Sequence, residues 1–137
     1  MTHYYDRSNL TRIPDLMKLA PQAASSFLAF EQEVYHGSNV IPPKIKELIA
    51  VAVAHVTGCP YCIDVHVQKC KKHGGTQEEI VSAVMIAAST RAGAVLSHAT
   101  HAIIAYENAL GRAEAAEEQT SVSPGSPGQT AAPDCFC

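Results

Sequence analysis

With 137 residues, 47% of them apolar and 17% charged, the chain has the length of one ordinary domain and the composition to bury a core. Its net charge of −3, with no basic cluster beyond Lys69, Lys71 and Lys72, excludes an electrostatic footprint for nucleic acid and a polybasic membrane patch. The first residues lack the apolar stretch of a secretory signal, and no run approaches the roughly 18 apolar residues of a membrane span. A cytoplasmic protein is therefore expected, with neither nucleic acid nor membrane as a partner.

Helix is predicted throughout the folded part. A short helix around Leu16 and Leu19 precedes one that opens at Pro21, runs through Phe27, Phe30, Val34 and Tyr35, and ends at Gly37 in the left-handed conformation. The three aromatic residues read as core. After Ile41-Pro42-Pro43, a helix over 44–57 stops at Gly58, and the next opens with Pro60 and stops before Gly74-Gly75. Thr76 and Glu79 have capping-box spacing for a helix to about Arg91, and a last helix over about 94–110 closes at Gly111. The segment 48–56 alternates in a way that also suits a buried strand. Its alanines favour helix, and no hairpin turn pair supplies a partner strand.

The segments 48–56 and 80–88 are apolar nearly all the way round, which predicts that other copies of the chain cover them. From Glu114 onward the composition is Ala, Glu, Ser, Pro, Gly and Thr, with too few large apolar groups to offset the entropy of ordering. The expected organisation is a helical domain over 1–113 and a disordered tail over 114–137. That tail ends in Cys135-Phe136-Cys137, a second dithiol that could bind a soft element or exchange electrons with the main pair.

The chemistry concentrates in Gly58-Cys59-Pro60-Tyr61-Cys62. Cys59 falls at a helix N-cap and Cys62 in the first turn, where free N–H groups and the positive end of the helix dipole favour an anion. A thiol of ordinary pKa is about 3% ionised at neutral pH, and one lowered to about 7 is roughly half ionised. His66, four residues after Cys62, shares its helix face and can take the thiol proton. Glu47 precedes the apolar run of the preceding helix. If the hairpin turns it inward, it orients the imidazole, giving a relay Glu47, His66, Cys62. The i, i+3 spacing lets Cys59 close a disulfide with an oxidised Cys62.

Blander readings exist for each residue. Glu47 alone reads as a solvated carboxylate near Lys44 and Lys46. Cys59, Cys62, His66 and Glu47 could together hold zinc, although structural zinc sites ordinarily draw on two separated pairs of ligands. His55 reads as a hydrogen-bonded core or interface residue, His98 and His101 as a pair on one helix face, and Cys70 as a packed thiol. Lys69, Lys71 and Lys72 read as a solvated face near a helix C-terminus.

The pattern Glu47, eleven residues, Cys59-Pro60-Tyr61-Cys62, three residues, His66 resembles the signature of the alkyl hydroperoxidase D-like proteins within the carboxymuconolactone decarboxylase family. The resemblance runs from about Ile41 to about Tyr106. It implies an all-α fold, trimers or hexamers, and thiol peroxidase or disulfide reductase activity without a bound cofactor or metal. In that reading the catalytic residues are Cys62, Cys59, His66 and Glu47: Cys62 forms the sulfenic acid, Cys59 resolves it, and Glu47 and His66 move protons. The substrate would be a hydroperoxide or a disulfide, and the reductant a dithiol, such as a lipoylated or thioredoxin-like protein. Some relatives carry a histidine where Tyr61 stands, so that extra base is missing here. The decarboxylases proper lack the cysteine pair, which argues against lactone chemistry. The alternatives are a dithiol module binding a soft metal or metalloid and a decarboxylase-like enzyme acting on a lactone.

Overall fold

The structure is a computed structural model that describes residues 4–120, with side chains through 118. Among the described residues there is no strand, and the all-α expectation holds. The chain divides into two compact units at Val95.

In the first unit a 3₁₀ helix, Arg7–Arg12, leads into α1, Ile13–Leu19, and α2, Pro21–His36. The 3₁₀ turn carries no periodic signature in the sequence. It starts because the Asp6 carboxylate accepts from the Ser8 backbone N–H at 2.8 Å and its hydroxyl at 2.6 Å, bonds that hold the Asp6 carboxyl below its usual pKa. Pro21 opens α2 as expected. Gly37 does not end it in the left-handed form: its φ is −74° and ψ −21°. The stop comes instead from Lys46, whose ammonium donates to the carbonyls of Val34 (2.8 Å), Tyr35 (3.1 Å) and Ser38 (2.6 Å), meeting the unpaired acceptors of the helix end.

Helices α3, Pro43–Thr57, and α4, Pro60–Lys72, form a hairpin. Gly58 makes the reversal at φ 70°, a left-handed conformation natural to glycine, while the Cys59 N–H reaches back to the Ala54 carbonyl at 3.0 Å. Gly74, at φ 79°, serves the same purpose after α4. The adjoining Gly75 has no room for a side chain, since a Cβ there would collide with the Cys70 sulfur and carbonyl. The hairpin holds most of the buried positions: Glu47, Val51 and Ala54 on α3 and Cys70 on α4, joined by Ala87. Phe27 and Phe30, expected in the core, are 60% and 66% exposed in the single chain, although Phe27 lines a hollow with residues of the N-terminal helices and α4.

The capping box forms as expected: Thr76 Oγ1 accepts from the Glu79 N–H at 3.2 Å, and the Glu79 carboxylate accepts from the Thr76 N–H at 2.9 Å. Lys44 joins it with an ion pair to Glu79 at 2.7 Å. The next helix, α5, runs unbroken over Gln77–Thr120 rather than as two helices. Neither Gly93 nor Gly111 has a positive φ, so neither stops it, and the apolar and alanine-rich sequence on both sides favours continuation.

The second unit begins at Leu96 and comprises the later turns of α5, all exposed through residue 118. Residues 114–120, expected in a disordered tail, are helical. The rest of that tail, with Cys135 and Cys137, lies outside the described residues. The expectation about membrane-spanning length is also corrected. By length and composition α5 could cross a membrane, with an 18-residue window of mean hydropathy 1.6 that is 6% buried. Alanine, valine and isoleucine raise that average although Arg91, His98 and His101 interrupt the run. A helix covered in an assembly has the same composition.

Candidate active site

Cys59 caps α4 as the sequence predicts: its backbone is extended and its sulfur accepts from the Cys62 N–H at 3.2 Å. Pro60 fills the first helical position, where its missing N–H costs nothing. The spacing sets the two Cα atoms 5.3 Å apart, and the sulfurs are bonded as a disulfide. Both cysteines are half-buried.

One turn past Cys62, the His66 ring is 13% exposed and its Nδ1 donates to Glu47 Oε2 at 2.6 Å. The solvated reading of Glu47 is overturned. It is 4% exposed, and its lysine neighbours are engaged elsewhere, Lys44 with Glu79 and Lys46 with the end of α2. A carboxylate taken out of water needs such a partner. With Nδ1 carrying the hydrogen to Glu47, the neutral ring keeps its lone pair on Nε2, so the free edge is basic.

Cys62 and His66 together line two cavities. One, of about 390 Å³, is walled by Tyr35, Ile41, Ile49, Val53 and Thr57. The other, of about 700 Å³, lies under the N-terminal helices, with Leu10, Leu16, Phe27, Tyr61 and Val65 in its wall. The sulfur and the imidazole are thus reachable from a mostly apolar surface on either hand.

Several participants are not legible in the motif. Tyr35 stacks on the His66 ring, with centroids 5.6 Å apart and planes 20° from parallel. The Lys69 ammonium stands 5.5 Å from the Tyr35 centroid, so this lysine is not merely solvated. The N-terminal segment is tied to α4 by Arg7, which pairs with Asp64 at 3.0 Å and donates to Gln68 at 2.8 Å. It is tied again by Asn9, which donates to the Tyr61 hydroxyl at 2.8 Å. The ties from Arg7 and Asn9 join residues more than 50 positions apart, and no local spacing encodes them.

The remaining candidates stay outside the site. Cys70 is fully buried, and burial, with Glu79 and Glu47 nearby, pushes its thiol pKa up. His55 is exposed rather than core, its Nδ1 meeting the Val51 carbonyl of its own helix at 2.7 Å. His98 and His101 are exposed rings 5.9 Å apart. Among the described residues no three His, Cys, Asp or Glu side chains converge as a metal-binding group. Cys59, Cys62, His66 and Glu47 instead divide into a disulfide and a hydrogen-bonded pair.

Known proteins share this stretch. A protein of Paracoccus denitrificans described as uncharacterized protein 4 in the cox locus is 45% identical over 78 residues, covering 57% of this chain and 69% of that protein. The alkyl hydroperoxide reductase AhpD of Hyphomonas neptunium is 39% identical over 59 residues, 43% of this chain and 33% of the relative. That of Maricaulis maris is 29% identical over 104 residues, 60% of each. The chain therefore spans between a third and three-fifths of the relatives that carry the reductase name. The sequence profile of the carboxymuconolactone decarboxylase family matches residues 21–105, which takes in α2, the α3–α4 hairpin and the start of α5, and the chain belongs to that family.

Proposed function

We propose that the protein is a thiol-dependent peroxidase or disulfide oxidoreductase in which Cys62 is the attacking sulfur. One observation carries the reading: the buried pair of Glu47 and His66, 2.6 Å apart, lies beside the disulfide-forming Cys62, and His66 lines the same cavities as that sulfur. In the reduced protein, His66 takes the Cys62 proton and Glu47 stabilises the imidazolium. The thiolate attacks the outer oxygen of a hydroperoxide. The O–O bond breaks, sulfur is oxidised to sulfenic acid, and the departing alkoxide takes the proton from His66 and leaves as the alcohol. The Cys59 thiol attacks the sulfenic sulfur, forming the disulfide and expelling water. An external dithiol, such as a lipoylated or thioredoxin-like protein, supplies two electrons and reopens it. With a disulfide as substrate, the same thiolate attacks sulfur instead of oxygen.

Peroxide consumption with dithiothreitol or dihydrolipoamide tests this. Cys62→Ser abolishes turnover, whereas Cys59→Ser leaves a sulfenic acid that a dimedone-type reagent traps. Full rate in Cys62→Ser would falsify the assignment, as would activity on a lactone that survives loss of both thiols. Stoichiometric arsenite or zinc binding without any peroxide consumption would favour a binding module.

The exposed apolar side chains of α5, among them Leu96 at 73% and Ile103 at 59%, support assembly with further copies of the chain. We infer an assembly of three or six copies, in the cytoplasm, from the family resemblance. Sedimentation of the wild type at the mass of several chains, and of Leu96→Asp at a lower mass, is the expected result. A wild type that sediments as one chain overturns it.

A further inference from the structure

We propose that Tyr35 is a positioning residue for the proton relay, holding the plane of the His66 imidazole from the neighbouring helix α2. The inference rests on the reading of Glu47, His66 and Cys62 as that relay. A single hydrogen bond from Nδ1 to Glu47 fixes one edge of the imidazole and leaves the ring free to pivot about that bond, since the second torsion of histidine has a broad minimum. A flat surface against one face removes the pivot. Tyr35 supplies it, with planes 20° from parallel, and lines the same 390 Å³ cavity as Cys62 and His66.

Tyr35 is itself held at both ends. Its carbonyl accepts from Lys46 at 3.1 Å, and the Lys69 ammonium stands over its ring at 5.5 Å. Burial, with Glu47 and then Glu31 nearby, raises the pKa of its hydroxyl, so the phenol stays neutral and adds no charge that would compete with Glu47 for the imidazolium. The titratable and charged groups around the imidazole are Glu47 from α3, which accepts its hydrogen bond, Tyr35 from α2, which stacks on it, and Cys62, Lys46 and Glu31, which line cavities with it, while Lys69 stands over the Tyr35 ring.

The test uses the full chain as wild type, Tyr35→Leu and Tyr35→Phe. The His66 ring proton is followed by NMR across pH, assigned by its loss in His66→Gln, beside peroxide turnover in excess dithiothreitol. Tyr35→Leu is expected to lower the imidazole midpoint by about half a unit, the scale of a lost cation–π contact. It should also lower kcat about tenfold, a fraction of full general-base catalysis, with KM within about twofold. Tyr35→Phe keeps the ring and restores both quantities to within about twofold of wild type. Should Tyr35→Leu fail to fold, Tyr35→Met takes its place. An unchanged midpoint and kcat in the ring-less variant overturns the proposal, as does a Tyr35→Phe as slow as Tyr35→Leu, which would place the effect in the hydroxyl. A shifted midpoint in a protein that consumes no peroxide supports the positioning while removing the peroxidase reading.

Discussion

The α3–α4 hairpin and the part of α5 beyond Val95 both draw on alanine, isoleucine and histidine, yet their side chains meet opposite surroundings. On the hairpin, Val51, Ala54 and Cys70 are buried and enclose a carboxylate; beyond Val95 every described side chain is exposed. The difference lies in whether a turn closes each segment. Gly58 folds α3 back on α4, so two apolar faces meet and the one charged residue between them is forced onto an imidazole. Residues 96–118 carry no turn that would return the chain on itself. Composition supplies an apolar face; only chain reversal decides whether the same chain covers it.

The contrast can be broken at several points. The largest effect is expected at the enclosed carboxylate: Glu47→Gln keeps the shape but removes the charge that stabilises the imidazolium, and peroxide turnover should fall by roughly 10² to 10⁴. A rate within threefold of wild type would mean that the buried pair is only structural. In the packed centre, Val51→Ala removes two methyl groups from a fully buried site, and urea unfolding should show a loss of about 2 kcal/mol. At the reversal itself, Gly58→Ala meets no neighbouring atom but must adopt φ 70°, for about 1 kcal/mol of strain. A neutral result there would show that the turn relaxes without cost.

Cys70 gives a pH-dependent probe. Its thiol pKa is raised in the folded chain, by burial first and then by Glu79 and Glu47. A raised folded pKa means its contribution is whole below the ordinary thiol value of about 8.5 and is lost as pH rises through the folded value. With the main pair oxidised, stability to urea should therefore fall more steeply above about pH 8.5 in wild type than in Cys70→Ala. Equal slopes would contradict the burial argument. The smallest effect belongs to the exposed region. In single chains, Ile103→Ala should change stability by less than about 0.5 kcal/mol, and a loss as large as that at Val51 would erase the distinction between the two segments.

Much of this architecture is legible in the residues because its signals are local. Pro21, Pro60, Gly58 and the Thr76–Glu79 box mark helix ends by backbone chemistry that operates within one turn, and the structure obeys each of them. Gly37, Gly93 and Gly111 mislead because glycine permits a left-handed stop without requiring one. At Gly37 a distant lysine satisfies the carbonyls, and at the other two the helix continues. The site divides the same way. The Cys59 cap and the spacing of Cys62 and His66 are local; the inward turn of Glu47, the stacking of Tyr35 and the ties from Arg7 and Asn9 depend on how helices meet. The aromatic face of α2 misleads for a further reason: Phe27 and Phe30 have core character, but in the single chain each leaves more than half of its surface uncovered.

Lys46 sits beside Glu47 in sequence and does unrelated work, knotting three carbonyls at the end of α2 where Tyr35 is anchored. Acetylation of that amine, or its replacement by methionine, would leave the sulfurs, the imidazole and the carboxylate chemically whole while loosening the helix end that carries the aromatic ring. The fault would surface as sluggish chemistry in a protein whose every reactive group assays as intact, and a search confined to atoms near the sulfur would not find its origin.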